Sequence, residues 1–250
     1  MKIAKVIMSS DSNPLYLSFW PVVSRLWKEK FNMEPILFYV DADHGIDISD
    51  EFGIIHKMKP VEGIPVYLQC LWVRYWSFVL FPHDTCMISD IDMIPISKYY
   101  FIKQLYGISD DMYVHLNPCI DTYGILPSCY HVSKGETFKE ILQLHDRWED
   151  SLKHLYSLDA GRDPGGHLSG KGHWFADERY SSDKIFSFYK ENGNRVLLLK
   201  RRGGQNGRRI DRSNWRYNGT LLKNDYYYDA HSIRPYESYK DEINTLVNQI

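Results

Sequence analysis

At 250 residues, with 44% apolar and 15% aromatic side chains, the chain has material for a sizeable core, which excludes disorder, collagen and coiled coil. Thirty Lys and Arg face 32 Asp and Glu, a net charge of −2, so no global field gathers nucleic acid or anionic membrane. Any bound anion must be held locally.

In chain order, short apolar runs alternate with longer helical patterns, which predicts βαβ units, an α/β class and a largely parallel sheet. The first strand spans 3–8. The cap-rich SSDSNP then leads into a helix carrying Tyr16, Phe19, Trp20, Val23, Leu26 and Trp27. Strands follow at 35–40 and 54–56, a helix at 64–81 and a buried strand at 85–88. A short helix at 99–105 and strands at 112–116 and 129–132 precede one long helix over 136–158. The glycine-rich stretch 159–171 reads as a surface loop able to act as a lid. A helix at 181–189, a strand at 195–199 and a last helix at 239–247 complete the pattern.

The first residues lack the apolar core and cleavage site of a secretory signal, so a cytoplasmic location is expected. Residues 66–81 are short for a membrane span and carry Gln69, Arg74 and Ser77, so a buried helix is expected there and no membrane span anywhere. The sequon at Asn218 is then not expected to be glycosylated. Cys70, Cys86, Cys119 and Cys129 form no CxxC pair and read as reduced core thiols.

The sharpest feature is Met87-Ile88-Ser89-Asp90-Ile91-Asp92-Met93-Ile94-Pro95, two carboxylates at i and i+2 where an apolar strand ends. Alternation in an extended chain turns both to one side, and paired hard oxygen ligands suit Mg²⁺ or Mn²⁺. Ligands of parallel sheets gather at such strand ends, although carboxylate pairs are also common in plain turns. The rival Asp41-Ala42-Asp43-His44 runs into further acidic residues and reads as a solvated loop.

On these residues the chain resembles the nucleotide-sugar glycosyltransferases of the GT-A fold, most closely the glycogenin-like branch and small viral or bacterial sugar transferases. The resemblance implies a single Rossmann-like domain, with a nucleotide-binding half at about 1–97 and an acceptor-binding half at about 98–250. It implies that Asp90, Ile91 and Asp92 meet a nucleotide-sugar, foremost a UDP-sugar, with Mn²⁺ or Mg²⁺ bridging its diphosphate. Arg74, sixteen positions upstream, stands where that branch has a diphosphate-binding lysine. The late segment Asp229-Ala230-His231-Ser232-Ile233-Arg234-Pro235-Tyr236 looks like the motif whose histidine is the third metal ligand. On that pattern His231 ligates metal and Arg234 contacts phosphate, with a shorter gap and with Arg and Tyr in place of Lys and Trp. Taken alone, a histidine in such a tail is more often a packed residue.

In Trp174-Phe175-Ala176-Asp177-Glu178, the resemblance implies that Asp177, with Glu178 in reserve, faces a saccharide or glycoprotein acceptor as base or ligand. The plainer alternative is acidic residues favouring a helix N-terminus. Met8, Ser9, Ser10 and Asp11 are candidates to meet the base or ribose; helix capping explains Ser10 or Asp11 equally well. The basic tract of Lys200, Arg201, Arg202, Arg208, Arg209, Arg212 and Arg216 reads as a solvated loop, or one closing over the diphosphate, and no nucleic acid partner is expected.

Two rivals make different demands. A sugar-phosphate nucleotidyltransferase would carry a glycine-rich basic loop where this chain has SSDSNP. A non-catalytic binding module would have lost a carboxylate or the late histidine, and all three are present.

Overall fold

The computed structural model describes residues 1–42, 47–118, 124–159, 173–204 and 207–250. Strand β1 (Lys5–Ser10) feeds the short helices α1 (Pro14–Leu17) and α2 (Trp20–Arg25). Asn13 Oδ1 accepts the Leu15 N–H and so starts α1. Strands β2 (Glu34–Val40) and β3 (Ile54–Met58) lead to helix α3 (Val66–Trp76), β4 (Thr85–Ile88) and the three-residue β5 (Met93–Pro95). Then come α4 (Lys98–Phe101), β6 (Tyr113–His115), β7 (His131–Lys134), α5 (Gly135–Leu142), α6 (Trp148–Asp159) and α7 (Ala176–Glu191). The chain continues through β8 (Val196–Leu198), β9 (Arg209–Asp211), α8 (Gly219–Lys223), β10 (Asp229–His231) and α9 (Lys240–Val247).

Seven strands form the main sheet in the order β3-β2-β1-β4-β7-β6-β8. Only β7 runs against its neighbours in it. The expected largely parallel α/β architecture is therefore present, with one reversed strand. Alternation along the strands sends Val6 and Met8 into one apolar cluster with Trp20 and Trp27, and Ile7 into the other, with Leu68 and Trp72 of α3. The fully buried Gln69 is tolerated in α3 because its amide bonds the backbone of Val61 and Ile64. Among the described residues no helix is long and apolar enough to cross a membrane.

Several expectations need correction. The helix foreseen over 136–158 is two, because Gln143 adopts a left-handed φ of 52° and ends α5. The bend lets the apolar faces of both helices, Phe138 and Ile141 on α5 and Leu152 and Leu155 on α6, reach the same cluster. Cys129 lies just before β7 rather than within it. Strands β5, β9 and β10 were not foreseen, since three residues are too few to carry a periodicity. Cys70, Cys86 and Cys129 are buried free thiols, while Cys119, the pair Asp43 and His44, and the supposed lid from residue 160 onward lie outside the described residues.

Candidate active site

Because β1 and β4 run parallel, their carboxyl ends open on one edge of the sheet, and Ser9, Ser10, Asp11, Asp90, Ile91 and Asp92 line one cleft there of about 260 Å³. Met8 is fully buried in the core instead, so its side chain is not among those lining this cleft. Ser9 Oγ donates to the Cys70 carbonyl at 2.5 Å, and Asp11 Oδ1 accepts the Asn13 N–H at 3.0 Å.

The two aspartates share the cleft through a turn rather than through strand alternation. Strand β4 ends at Ile88, and the Met93 N–H donates to the Asp90 carbonyl at 3.2 Å. Their side chains consequently have unlike surroundings. Asp90 is 40% exposed and ion-paired with Arg74 of α3, whereas Asp92 is only 5% exposed.

A second, small sheet brings the third predicted residue to this turn. In the order β5-β10-β9, strand β10 pairs antiparallel with β5, placing His231 opposite Met93, and parallel with β9, placing it beside Asp211. The Ser232 N–H donates to the Asp92 carbonyl at 3.0 Å and locks the register. His231 thereby lies between two carboxylates, its Nε2 3.6 Å from Asp92 Oδ2 and its Nδ1 3.6 Å from Asp211 Oδ2. Arg212 and Arg234 approach the same Asp92 oxygen at 3.3 and 3.7 Å. Burial pushes the Asp92 carboxyl up, but His231, Arg212 and Arg234 together hold it below the usual carboxylate range.

Do these groups suit a divalent cation? Among the described residues no three His, Cys, Asp or Glu side chains stand at ligating distance as a group. Adjacent ligands of an octahedral Mg²⁺ or Mn²⁺ are about 3 Å apart, so the Asp92–His231 spacing of 3.6 Å needs only slight adjustment. Asp90 borders the same cleft, where Arg74 binds one of its oxygens. Asp211 behind His231 is the kind of carboxylate support that orients ligating imidazoles. Two carboxylates and an imidazole are donor types that a divalent cation accepts.

Across the cleft, the first turn of α7 presents Asp177 and Glu178. The N-cap residue, Phe175, makes no side-chain cap bond. Asp177 Oδ2 lies 3.4 Å from both Arg74 Nη2 and Ser128 Oγ, and its Oδ1 is buried with no hydrogen-bond partner. Glu178 Oε1 accepts both the N–H and the hydroxyl of Ser128 at 2.9 Å. Burial raises both carboxyls, Asp177 to about 6 and Glu178, with Asp177's charge adding, to about 7. Closely coupled, they titrate as a pair.

Arg234 packs over the Tyr16 ring at 4.9 Å, so Arg234 and Tyr16 wall the cleft together. The basic tract divides. Arg201 and Arg209 both bind the buried Asp229, Arg208 covers the Tyr226 and Tyr228 rings, and Arg212 alone among these four reaches Asp92. Sequence reasoning missed Ser128, Asp211 and the contact of Arg212. The cue for Asp211 and Arg212 would have been the pairing of β9 with β10, which no local pattern announces.

No family model matches this sequence, and no curated protein does. Among solved structures the chain is similar to the glycosyltransferase GlyE of Streptococcus pneumoniae TIGR4, at 12% identity and a TM-score of 0.51 over 99% of this chain and 63% of that one. This chain thus spans about three fifths of the length of GlyE. It is also similar to an active-site mutant of LgtC, at 10% identity and a TM-score of 0.50 over 96% and 95% of the two chains. The fold is of the GT-A glycosyltransferase type, an α/β architecture with helices on a mostly parallel central sheet.

Proposed function

We propose that this protein transfers a hexose from a nucleoside diphosphate sugar, a UDP-sugar foremost, to a hydroxyl of a saccharide or glycoprotein acceptor, with Mn²⁺ or Mg²⁺ at the diphosphate. The observation that carries the reading is the approach of His231 to within 3.6 Å of Asp92 across one cleft, with Asp90 and Arg74 beside them. The fold, shared with structures named as glycosyltransferases, supports it further.

Departure of the nucleoside diphosphate builds negative charge on a phosphate oxygen, which fixed positive groups in a water-poor cleft stabilise. Asp90, Asp92 and His231 would hold the cation, whose chemical contribution is to neutralise that charge as a Lewis acid. Arg74 and Arg234 donate to the phosphate oxygens, for which a guanidinium fork is well shaped. Ser9, Ser10, Asp11 and Ile91 border the nucleotide's end of the cleft. Asp177 offers its unpartnered Oδ1 to the acceptor hydroxyl, and Glu178 next to it is poised to exchange a proton near neutral pH.

The test is donor cleavage without acceptor. UDP-hexoses incubated with the protein and Mn²⁺ should release UDP, and both EDTA and Asp92→Ala should abolish the release. Release at the full rate by the Asp92→Ala protein would overturn the assignment.

A further inference from the structure

Arg212 has a place in the cleft that the reading above leaves unused. It directly follows Asp211, the β9 residue beside His231, and its Nη1 donates to Asp92 Oδ2 at 3.3 Å. That oxygen is the only hydrogen-bond acceptor it meets among the described residues. A guanidinium carries five N–H donors, so most of its capacity is unspent. Three basic groups, Arg212, Arg234 and His231, thus crowd one carboxylate oxygen, while Asp90 is taken by Arg74. Arg212 and Arg234 both approach the single Oδ2 of Asp92, at 3.3 and 3.7 Å, instead of dividing its two oxygens between them. Arg212 stands at the cleft wall, partly shielded from water at 31% exposed, with Asp211 as the next carboxylate near it.

We propose that Arg212 is a diphosphate-binding residue with two alternating partners, Asp92 in the empty cleft and the phosphate oxygens of a nucleoside diphosphate once a divalent cation occupies Asp92. The inference rests on the cleft being the metal and nucleotide-sugar site argued above. Its physical basis is that the cation and Arg212 need the same oxygen. A doubly charged ion at Asp92 repels the guanidinium beside it, so metal alone and Arg212 compete. A diphosphate arriving with the metal supplies new acceptors within the same cleft and turns the competition into cooperation. The arginine keeps Asp92 paired when the cleft is empty and adds a bidentate grip when it is full.

This makes effects of opposite sign. Removing the guanidinium in Arg212→Gln should tighten binding of Mn²⁺ alone by roughly tenfold and weaken binding of UDP at saturating Mn²⁺ by roughly ten- to a hundredfold, as loss of one charge-assisted contact does. Arg212→Lys keeps the charge and loses the fork, so it should leave Mn²⁺ binding near the wild-type value while still weakening UDP. Arg216→Gln, exposed in the same tract, should change neither. The measurements are Mn²⁺ titration by electron paramagnetic resonance and calorimetric titration with UDP, made on the full chain. A structural arginine would lower both affinities together, and that result overturns the inference, as would no change in either or equal effects of Arg216→Gln. If Mn²⁺ binds and Asp92→Ala abolishes that binding while Arg212→Gln is silent, only this inference falls. If the wild-type protein binds neither Mn²⁺ nor UDP, the reading of the cleft itself falls.

Discussion

Arg74 is 4% exposed and spans two carboxylates that line the cleft, Asp90 and Asp177. Burial draws its pKa down, and Asp90 and Asp177 more than offset that, so it stays charged. Loss of the guanidinium in Arg74→Ala should cost turnover. The geometry adds a stability cost, because the substitution strands the fully buried Asp177. We expect a loss of about 3 kcal/mol in denaturant unfolding together with loss of activity, as when a buried pair is broken. Restoration of most of the stability, but not the activity, in an Arg74→Ala, Asp177→Asn double variant checks the attribution. Glu178 makes a pH prediction. Its carboxyl is raised to about 7, chiefly by burial, so the folded chain holds the proton more tightly than the unfolded one. The stability this provides is complete below the ordinary carboxylate pKa and is lost as pH climbs through about 7. Glu178→Gln removes that dependence, and the variant's melting temperature should gain on the wild type's between about pH 5 and pH 8. A difference that stays constant over the range would refute it. Of these groups Arg74, Asp90 and Asp92 were legible in the sequence because they lie close together along the chain. Ser128, which holds Glu178, was not, since 50 positions separate the pair.

At the scale of elements, the small sheet owes its position to a buried ion network. Asp229, fully buried on β10, accepts from Arg201 at 2.9 Å, from Arg209 at 3.0 and 2.9 Å, and from the Tyr130 hydroxyl at 2.9 Å. The two guanidinium groups hold its carboxyl far below the usual carboxylate range despite burial. Arg209 is also its register partner on β9, so the network fastens the strands that carry His231, Asp211 and Arg212. Asp229→Ala leaves two buried guanidinium groups without their shared acceptor, and we expect it to cost about 3–5 kcal/mol in chemical denaturation. Its Mn²⁺ affinity should fall as well, although among the described residues the Asp229 carboxylate bonds Tyr130, Arg201 and Arg209 and none of the proposed metal ligands. Retained affinity would show that His231 is placed by other means. A second element-scale constraint is Gly135, at the start of α5, where a Cβ would lie 2.2 Å from the Phe81 carbonyl oxygen. Gly135→Ala should therefore destabilise the β7–α5 junction by about 1–3 kcal/mol. By contrast, Gly193→Ala meets only the Tyr189 ring at 3.6 Å and should leave the melting temperature nearly unchanged.

For the whole molecule, the cleft is assembled from strand ends and helices spread from Ser9 to Arg234, so a ligand filling it ties the two faces of the fold together. Binding to the folded state alone adds about 2.7 kcal/mol at a hundredfold excess over the dissociation constant. With about 2–4 °C gained per kcal/mol in a chain of this length, UDP and Mn²⁺ together should raise the melting temperature by about 5–10 °C. UDP without metal should give a much smaller shift, and equal shifts would count against a bridging cation. What the sequence determined by itself is what short-range pattern records: the α/β alternation, the acidic turn after β4, the arginine one helix upstream and the acids opening α7. Apolar periodicity tells each segment which side to bury, and that information is local. The tertiary structure alone decided that His231, Asp211 and Arg212 converge on Asp92, through three-residue strands whose register is set by hydrogen bonds to distant partners. It also decided the protonation of Asp177 and Glu178, because desolvation belongs to the packed surroundings and not to the residue.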